Sequence, residues 1–110
     1  MRSKVFFADE KLEELFQKLN DSKTEDKNLY RQLLRTFEEL EKDMFSGIQI
    51  PKRLIPKEYE RRYGKIHNLW KYNLPNAWRL IYTIKKQDVV VLSLILEWLP
   101  HKEYEKRFKY

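Results

Sequence analysis

Leu12, Leu15, Phe16 and Leu19 fall at i, i+3, i+4 and i+7, which draws one apolar stripe along a helix over about residues 9–20. Asn20-Asp21-Ser22 interrupts the stripe, and Ser22 with Glu25 has the spacing of a capping box for a second helix. That helix is predicted to run to about residue 45, with Tyr30, Leu33, Leu34, Phe37, Leu40 and Met44 on one face and Gly47 closing it. A short break between two amphipathic helices predicts an antiparallel helical hairpin. Ahead of it, Val5-Phe6-Phe7 reads as a short strand.

The second half changes period. Strand signals cover about 66–73, 78–85 and 88–97, with Lys86-Gln87 predicted as a tight connection between the last two. Val89 to Leu96 is nearly continuous apolar, the pattern of an interior strand. Pro100 stops it, and His101 to Lys109 is helical in character, with Tyr104 and Phe108 four residues apart. Residues 48–66 read as a loop-rich basic arm in which Pro56 and Gly64 bracket a short helix holding Tyr59 and Tyr63. The expectation is a single α+β domain over residues 1–110. An N-terminal strand and a helical hairpin pack on a small antiparallel β-sheet, and a short C-terminal helix follows. The hairpin would cover one sheet face. The other would be open, concave and basic.

Charge sharpens this picture. Residues 1–50 carry 9 basic and 11 acidic side chains, a net of −2, and residues 51–110 carry 14 and 6, a net of +8. That asymmetry calls for an anionic partner of the C-terminal half, with nucleic acid the first candidate and a solvated, solubilising surface the plainer one. The absence of cysteine excludes disulfides and thiolate metal sites and fits a reducing, cytoplasmic setting. Two histidines 34 residues apart make a poor metal-ligand set. No Gly-rich phosphate loop is present, no cofactor is implied, and no apolar run is long enough to span a membrane.

The candidate chemistry starts at Arg79. It opens the predicted strand Leu80-Ile81-Tyr82-Thr83-Ile84, which is apolar on both faces. Its guanidinium either reaches the rim, pairs with a carboxylate such as Glu97, or is aimed at an anion. Trp70-Lys71-Tyr72, then Trp78-Arg79-Leu80-Ile81-Tyr82, then Val89-Val90-Val91, then His101-Lys102-Glu103-Tyr104 follow in an order that resembles the RelE/ParE superfamily of type II toxin–antitoxin toxins. Leu69 to Tyr82 is similar to the YoeB branch without a gap. In element order the resemblance spans the chain; residue by residue it is confined to about 60–104.

The resemblance implies a RelE-like fold and a ribosome-dependent mRNA endoribonuclease, which uses the RNA 2′-hydroxyl to attack the adjacent phosphate. It implies two partners, mRNA on the ribosome and a cognate antitoxin protein. The alternative is a non-catalytic ParE-like or decayed toxin-fold module that binds gyrase or RNA. Phosphodiester cleavage needs a base, a cation on the phosphate and an acid at the leaving oxygen. The resemblance places Arg79 on the phosphate, His101 as the proton shuttle, Glu60 as base with Glu58 competing, and Tyr104 on the phosphate or a base. Lys71 is the next phosphate contact, and Arg53, Arg61, Arg62 and Lys65 would hold backbone phosphates. His67 is more simply structural, Tyr104 could equally pack on the sheet, and Trp98 could stack on a base or pack inside. Glu97-Trp98-Leu99-Pro100 departs from the family, many of whose members carry an arginine directly after the last strand. Glu97 would weaken a phosphate site if it pointed inward.

Overall fold

Five strands form one sheet in the order β1-β5-β4-β3-β2, and helices cover both of its faces. The computed structural model describes residues 1–21 and 23–109, so the predicted cap at Ser22 lies outside the described residues. The elements are β1 (Lys4–Phe7), α1 (Glu10–Leu19), α2 (Thr24–Lys42), β2 (Ile48–Ile50), α3 (Lys57–Tyr63), β3 (Leu69–Asn73), β4 (Trp78–Gln87), β5 (Val90–Pro100) and α4 (His101–Phe108). None of the described helices is long and apolar enough to cross a membrane.

The α+β class, the helical hairpin and the C-terminal helix stand as expected. The purely antiparallel sheet does not. β1 runs parallel to β5, while β2, β3, β4 and β5 form an antiparallel meander. After β1 the chain passes through both helices, re-enters at the far edge as β2, and meanders back until β5 meets β1. Ser3 fastens the first strand from two sides: its Oγ donates to Leu40 O at 2.9 Å and lies 2.7 Å from Ser93 Oγ.

The α1–α2 hairpin buries the first core against the sheet: Phe16, Leu33, Phe37 and Leu40 meet Leu80, Tyr82 and Ile95. Leu15 and Leu34 belong to the predicted stripes but stay largely exposed. Asp9 caps α1 by accepting from Leu12 N at 2.9 Å. α2 ends at Lys42, five residues before Gly47. Glycine serves a different purpose there: a Cβ would lie 2.5 Å from Tyr82 Oη and 2.6 Å from Lys71 O. Tyr82 Oη donates to Met44 O at 2.8 Å and accepts from Gly47 N at 3.2 Å, tying the α2–β2 connection to the central strand.

The other sheet face is not an open concavity. Ile81, Leu96 and Leu99 are covered by Tyr59 of α3 and by Tyr104 and Phe108 of α4, which form a second core. The aromatic residues sit among so many cations that the segment reads as surface, yet both tyrosines are 1% exposed. α3 itself follows its predicted brackets, with Pro56 before it and Gly64 after it at φ 81°. A β-bulge sets Tyr82 opposite Ile95 but Ile81 opposite Glu97, so Leu96 and Glu97 both serve the α3–α4 side.

Two turns bound β4. The β4–β5 turn is Asp88-Val89 rather than Lys86-Gln87, whose backbones stay paired with Val91 and Val90. Asp88 takes φ 56°, which aspartate tolerates better than most residues. At the other end Asn76 and Ala77 both adopt left-handed φ, 60° and 63°, and Leu74 N donates to Trp78 O at 2.8 Å. The alanine stores roughly 1–2 kcal/mol of strain. This closed loop delivers Arg79 to the start of β4.

Candidate functional site

Register decides which side chains share the α4 side of the sheet. Arg79 pairs with Asn73 on β3 and with Leu99 on β5, and Lys71 pairs with Ile81. Lys71 is therefore the same-face diagonal neighbour of Arg79, with roughly 7–8 Å expected between their backbones. β5 runs straight into α4, which places His101 beside Arg79.

Arg79 is half-buried, and its Nη1 donates to Trp78 O at 3.0 Å. Its Nη2 lies 3.4 Å from Nδ1 of His101. On the far side of the ring, His101 Nε2 is 2.7 Å from Oε1 of Glu105, one helical turn along α4. A guanidinium can only donate, so Nδ1 must accept; a carboxylate can only accept, so Nε2 must carry the proton. The two contacts together favour the Nε2–H tautomer.

Tyr104 is packed behind this chain of groups. Its ring is stacked on Phe108 at 4.5 Å and on His101 at 6.4 Å, and Lys71 Nζ sits 5.0 Å from its centroid. At 1% exposure it cannot stack on an RNA base, so the packing alternative holds for its ring. Its ring packs against both Lys71 and His101. Trp98 likewise faces the first core, against Phe7 and Phe16.

Glu97 does not pair with Arg79. It is bound by Arg107 at 2.6 Å, with side chains 14% and 30% exposed, so the carboxylate expected to weaken a phosphate site is already matched. Tyr59 lies under that pair, with the Arg107 guanidinium 5.7 Å from its ring centroid. Burial, and then the Glu97 carboxylate, pushes its hydroxyl well above the usual tyrosine range.

The remaining candidates are not in this cluster. Glu60 is exposed on α3, and its carboxylate has no hydrogen-bond or ion-pair partner among the described residues. No contact among the described residues joins it to Arg79, so Glu60 does not fill the base expected there. The basic arm divides in two. Arg53 and Arg61 line a cleft between α3 and α4, whereas Lys65 lines another with His67 and Lys85. Arg62 lies over Tyr63, 5.5 Å from the ring centroid. His67 precedes β3 by two residues and is about 20 Å along the strand direction from Asn73, the register partner of Arg79. It shares no chemistry with His101.

Glu105 is the residue that the sequence reading missed. Its signal was available: a glutamate four residues after a histidine on one helix meets it on the same face. Together Arg79, His101, Glu105 and Lys71 provide an anion fork, a proton acceptor held in one tautomer, and a second cation. No family model, curated protein or solved structure matches this chain.

Proposed function

We propose that this chain is an endoribonuclease toxin of a type II toxin–antitoxin system, of the RelE/ParE superfamily it resembles, cleaving mRNA on the ribosome. The observation that carries the reading is Arg79 lying 3.4 Å from the acceptor nitrogen of His101, on a sheet face that also holds Lys71.

The chemistry follows from these groups. A phosphate oxygen draws the Arg79 fork away from the ring, because two charge-assisted bonds to an anion outweigh one long bond to imidazole. Nδ1 of His101 is then a free acceptor beside the bound phosphodiester. It takes the 2′-hydroxyl proton while the 2′-oxygen bonds to phosphorus and the bond to the 5′-oxygen breaks. Glu105 stabilises the resulting imidazolium. Lys71 supplies positive charge and a proton to the departing 5′-oxygen. The products are a 2′,3′-cyclic phosphate and a 5′-hydroxyl end. In this scheme His101 serves as the base and Lys71 as the acid, and Glu60 has no part. The partners are mRNA in the ribosome and an antitoxin that holds the toxin inactive in the cytoplasm.

The test is end-mapping of mRNA incubated with purified protein on translating ribosomes. Cyclic-phosphate ends that vanish with Arg79→Ala support the reading. Intact mRNA with retained RNA or gyrase binding would replace it with the non-catalytic toxin-fold module.

A further inference from the structure

Away from Arg79, at the other end of α4, the side chains of Arg53, Lys57, Arg61, Arg107 and Lys109 surround a cleft of about 540 Å³. One carboxylate, Glu58, shares it. Arg107 is committed to Glu97, but Arg53, Lys57, Arg61 and Lys109 form no ion pair among the described residues. Four unpaired cations around one recess repel one another unless an anion joins them. Leu54, 44% exposed, adds an apolar patch to the lining, while Phe108 is buried. A cationic rim with an apolar patch beside it matches a nucleotide, its phosphate on the cations and its ring on the patch.

We propose that the α3–α4 cleft is a second phosphate site, which seats a nucleotide with its phosphate on Arg53 and Arg61 and its ring against Leu54. α4 has eight residues, so the cleft and His101 lie about 12 Å apart along the helix. One single strand can therefore occupy both, and the cleft anchors the RNA a short distance from the scissile phosphate. The inference rests on the ribonuclease reading only for the source of the phosphate.

The experiment uses the full chain and two probes that cannot be cleaved, a single-stranded all-deoxy octanucleotide and inorganic pyrophosphate. Arg53→Ala with Arg61→Ala is expected to weaken octanucleotide binding by about tenfold per arginine. It should also reduce the slope of log affinity against log salt by about 1.4, the value for two lost contacts to a single strand. The paired lysine variant should retain most of the slope, and circular dichroism should show the fold intact, because both arginines are exposed. If pyrophosphate alone binds and is lost in the same variant, the site takes free phosphates rather than a strand. Unchanged binding of both probes by the alanine variant overturns the proposal. Lost binding without any cyclic-phosphate ends from the wild-type protein would keep the cleft and discard the ribonuclease. Cleavage with unchanged probe binding would do the reverse.

Discussion

Arg79 Nη2 and His101 Nδ1 are 3.4 Å apart, and that contact makes the imidazole an acceptor on the side where an anion would bind. The carboxylate alone would place the proton on Nε2 but leave Nδ1 unclaimed. Here the arginine occupies the lone pair and the carboxylate holds the proton, so the ring is pre-set before any substrate arrives. In the proposed reaction the same guanidinium guards the base and is the group that an incoming phosphate pulls away.

Arg79→Ala is expected to lower the rate of ribosome-dependent cleavage by about 10²–10³, the usual cost of removing one charge-stabilising donor. Arg79→Lys should recover only part, because an ammonium cannot grip two phosphate oxygens in a plane. Thermal unfolding should barely change in either variant, since the guanidinium makes one backbone bond and one long bond to the ring. A wild-type cleavage rate in Arg79→Ala would remove Arg79 from the chemistry.

Glu105→Ala and Glu105→Gln separate charge from orientation. Glutamine still presents an oxygen to Nε2–H, so nitrogen NMR of His101 should report the same tautomer as the parent. Alanine leaves only the long 3.4 Å contact with Arg79 to hold the ring, so the signal should drift toward a mixture. Cleavage should fall with both, by roughly tenfold or more with alanine, while the surface pair itself is worth under about 1 kcal/mol of stability. Equal tautomer mixtures in parent and alanine variant would show that Glu105 positions nothing.

The helical hairpin was legible because two stripes of period 3.6 survive in the letters: Leu12 and Phe16 of one helix, Leu33, Phe37 and Leu40 of the other. β2 was not, because Ile48-Gln49-Ile50 is three residues long and stops at a proline, too short for a period to show. The second core was hidden by its neighbours. Tyr59 is flanked by glutamates, and Tyr104 and Phe108 stand in a run of charges, so their burial follows only once α3 and α4 fold back over Ile81 and Leu96. Arg79 and Lys71 could be singled out by type and position. Their meeting with His101 depends on strand register and on the bulge that shifts β5 by one residue, and a linear pattern records neither. The resemblance puts a base at Glu60, and α3 turns that position to solvent.

Gly47→Ala and Tyr82→Phe should each destabilise the fold by roughly 1–3 kcal/mol, for opposite reasons. The first forces a methyl into the Tyr82 hydroxyl and the Lys71 carbonyl. The second leaves Met44 O and Gly47 N without their partner. Because the hydroxyl is one of the atoms the methyl strikes, the double variant should lose less than the sum. Denaturant unfolding of all four proteins measures this, and strict additivity would rule out the coupling.

Tyr82 also sets an alkaline limit. Burial, only partly offset by the Gly47 N–H, pushes its hydroxyl up to about 12. A folded value above the unfolded one means that the contribution is fully present below pH 10 and is lost as pH rises through about 12. Stability should fall by up to about 2 kcal/mol across that window. Tyr59, raised in the same direction by burial, should add to the slope. Tyr82→Phe should start less stable at pH 8 and fall less steeply from pH 10 upward; parallel pH profiles would exclude Tyr82 as a source of the limit.

Arg107→Ala tests whether the Glu97 carboxylate is dangerous to the site. Glu97 is 14% exposed and has Arg107 as its ion-pair partner, so removing the arginine leaves a mostly buried charge unmatched, at a cost of about 2–4 kcal/mol. Glu97→Gln added to it should recover a good part, since a neutral amide is easier to bury than a carboxylate. The pair matters beyond stability. Glu97 lies two residues before Leu99, the register partner of Arg79, and so shares its sheet face as a diagonal neighbour. Freed from Arg107, the carboxylate can compete with RNA phosphate for the Arg79 fork. Arg107→Ala should therefore lose RNA affinity and cleavage at temperatures well below its melting point, and Glu97→Gln should restore the function that depends on Arg79. If the single variant melts as the parent does and binds RNA as tightly, the Glu97–Arg107 pair protects neither the fold nor the site.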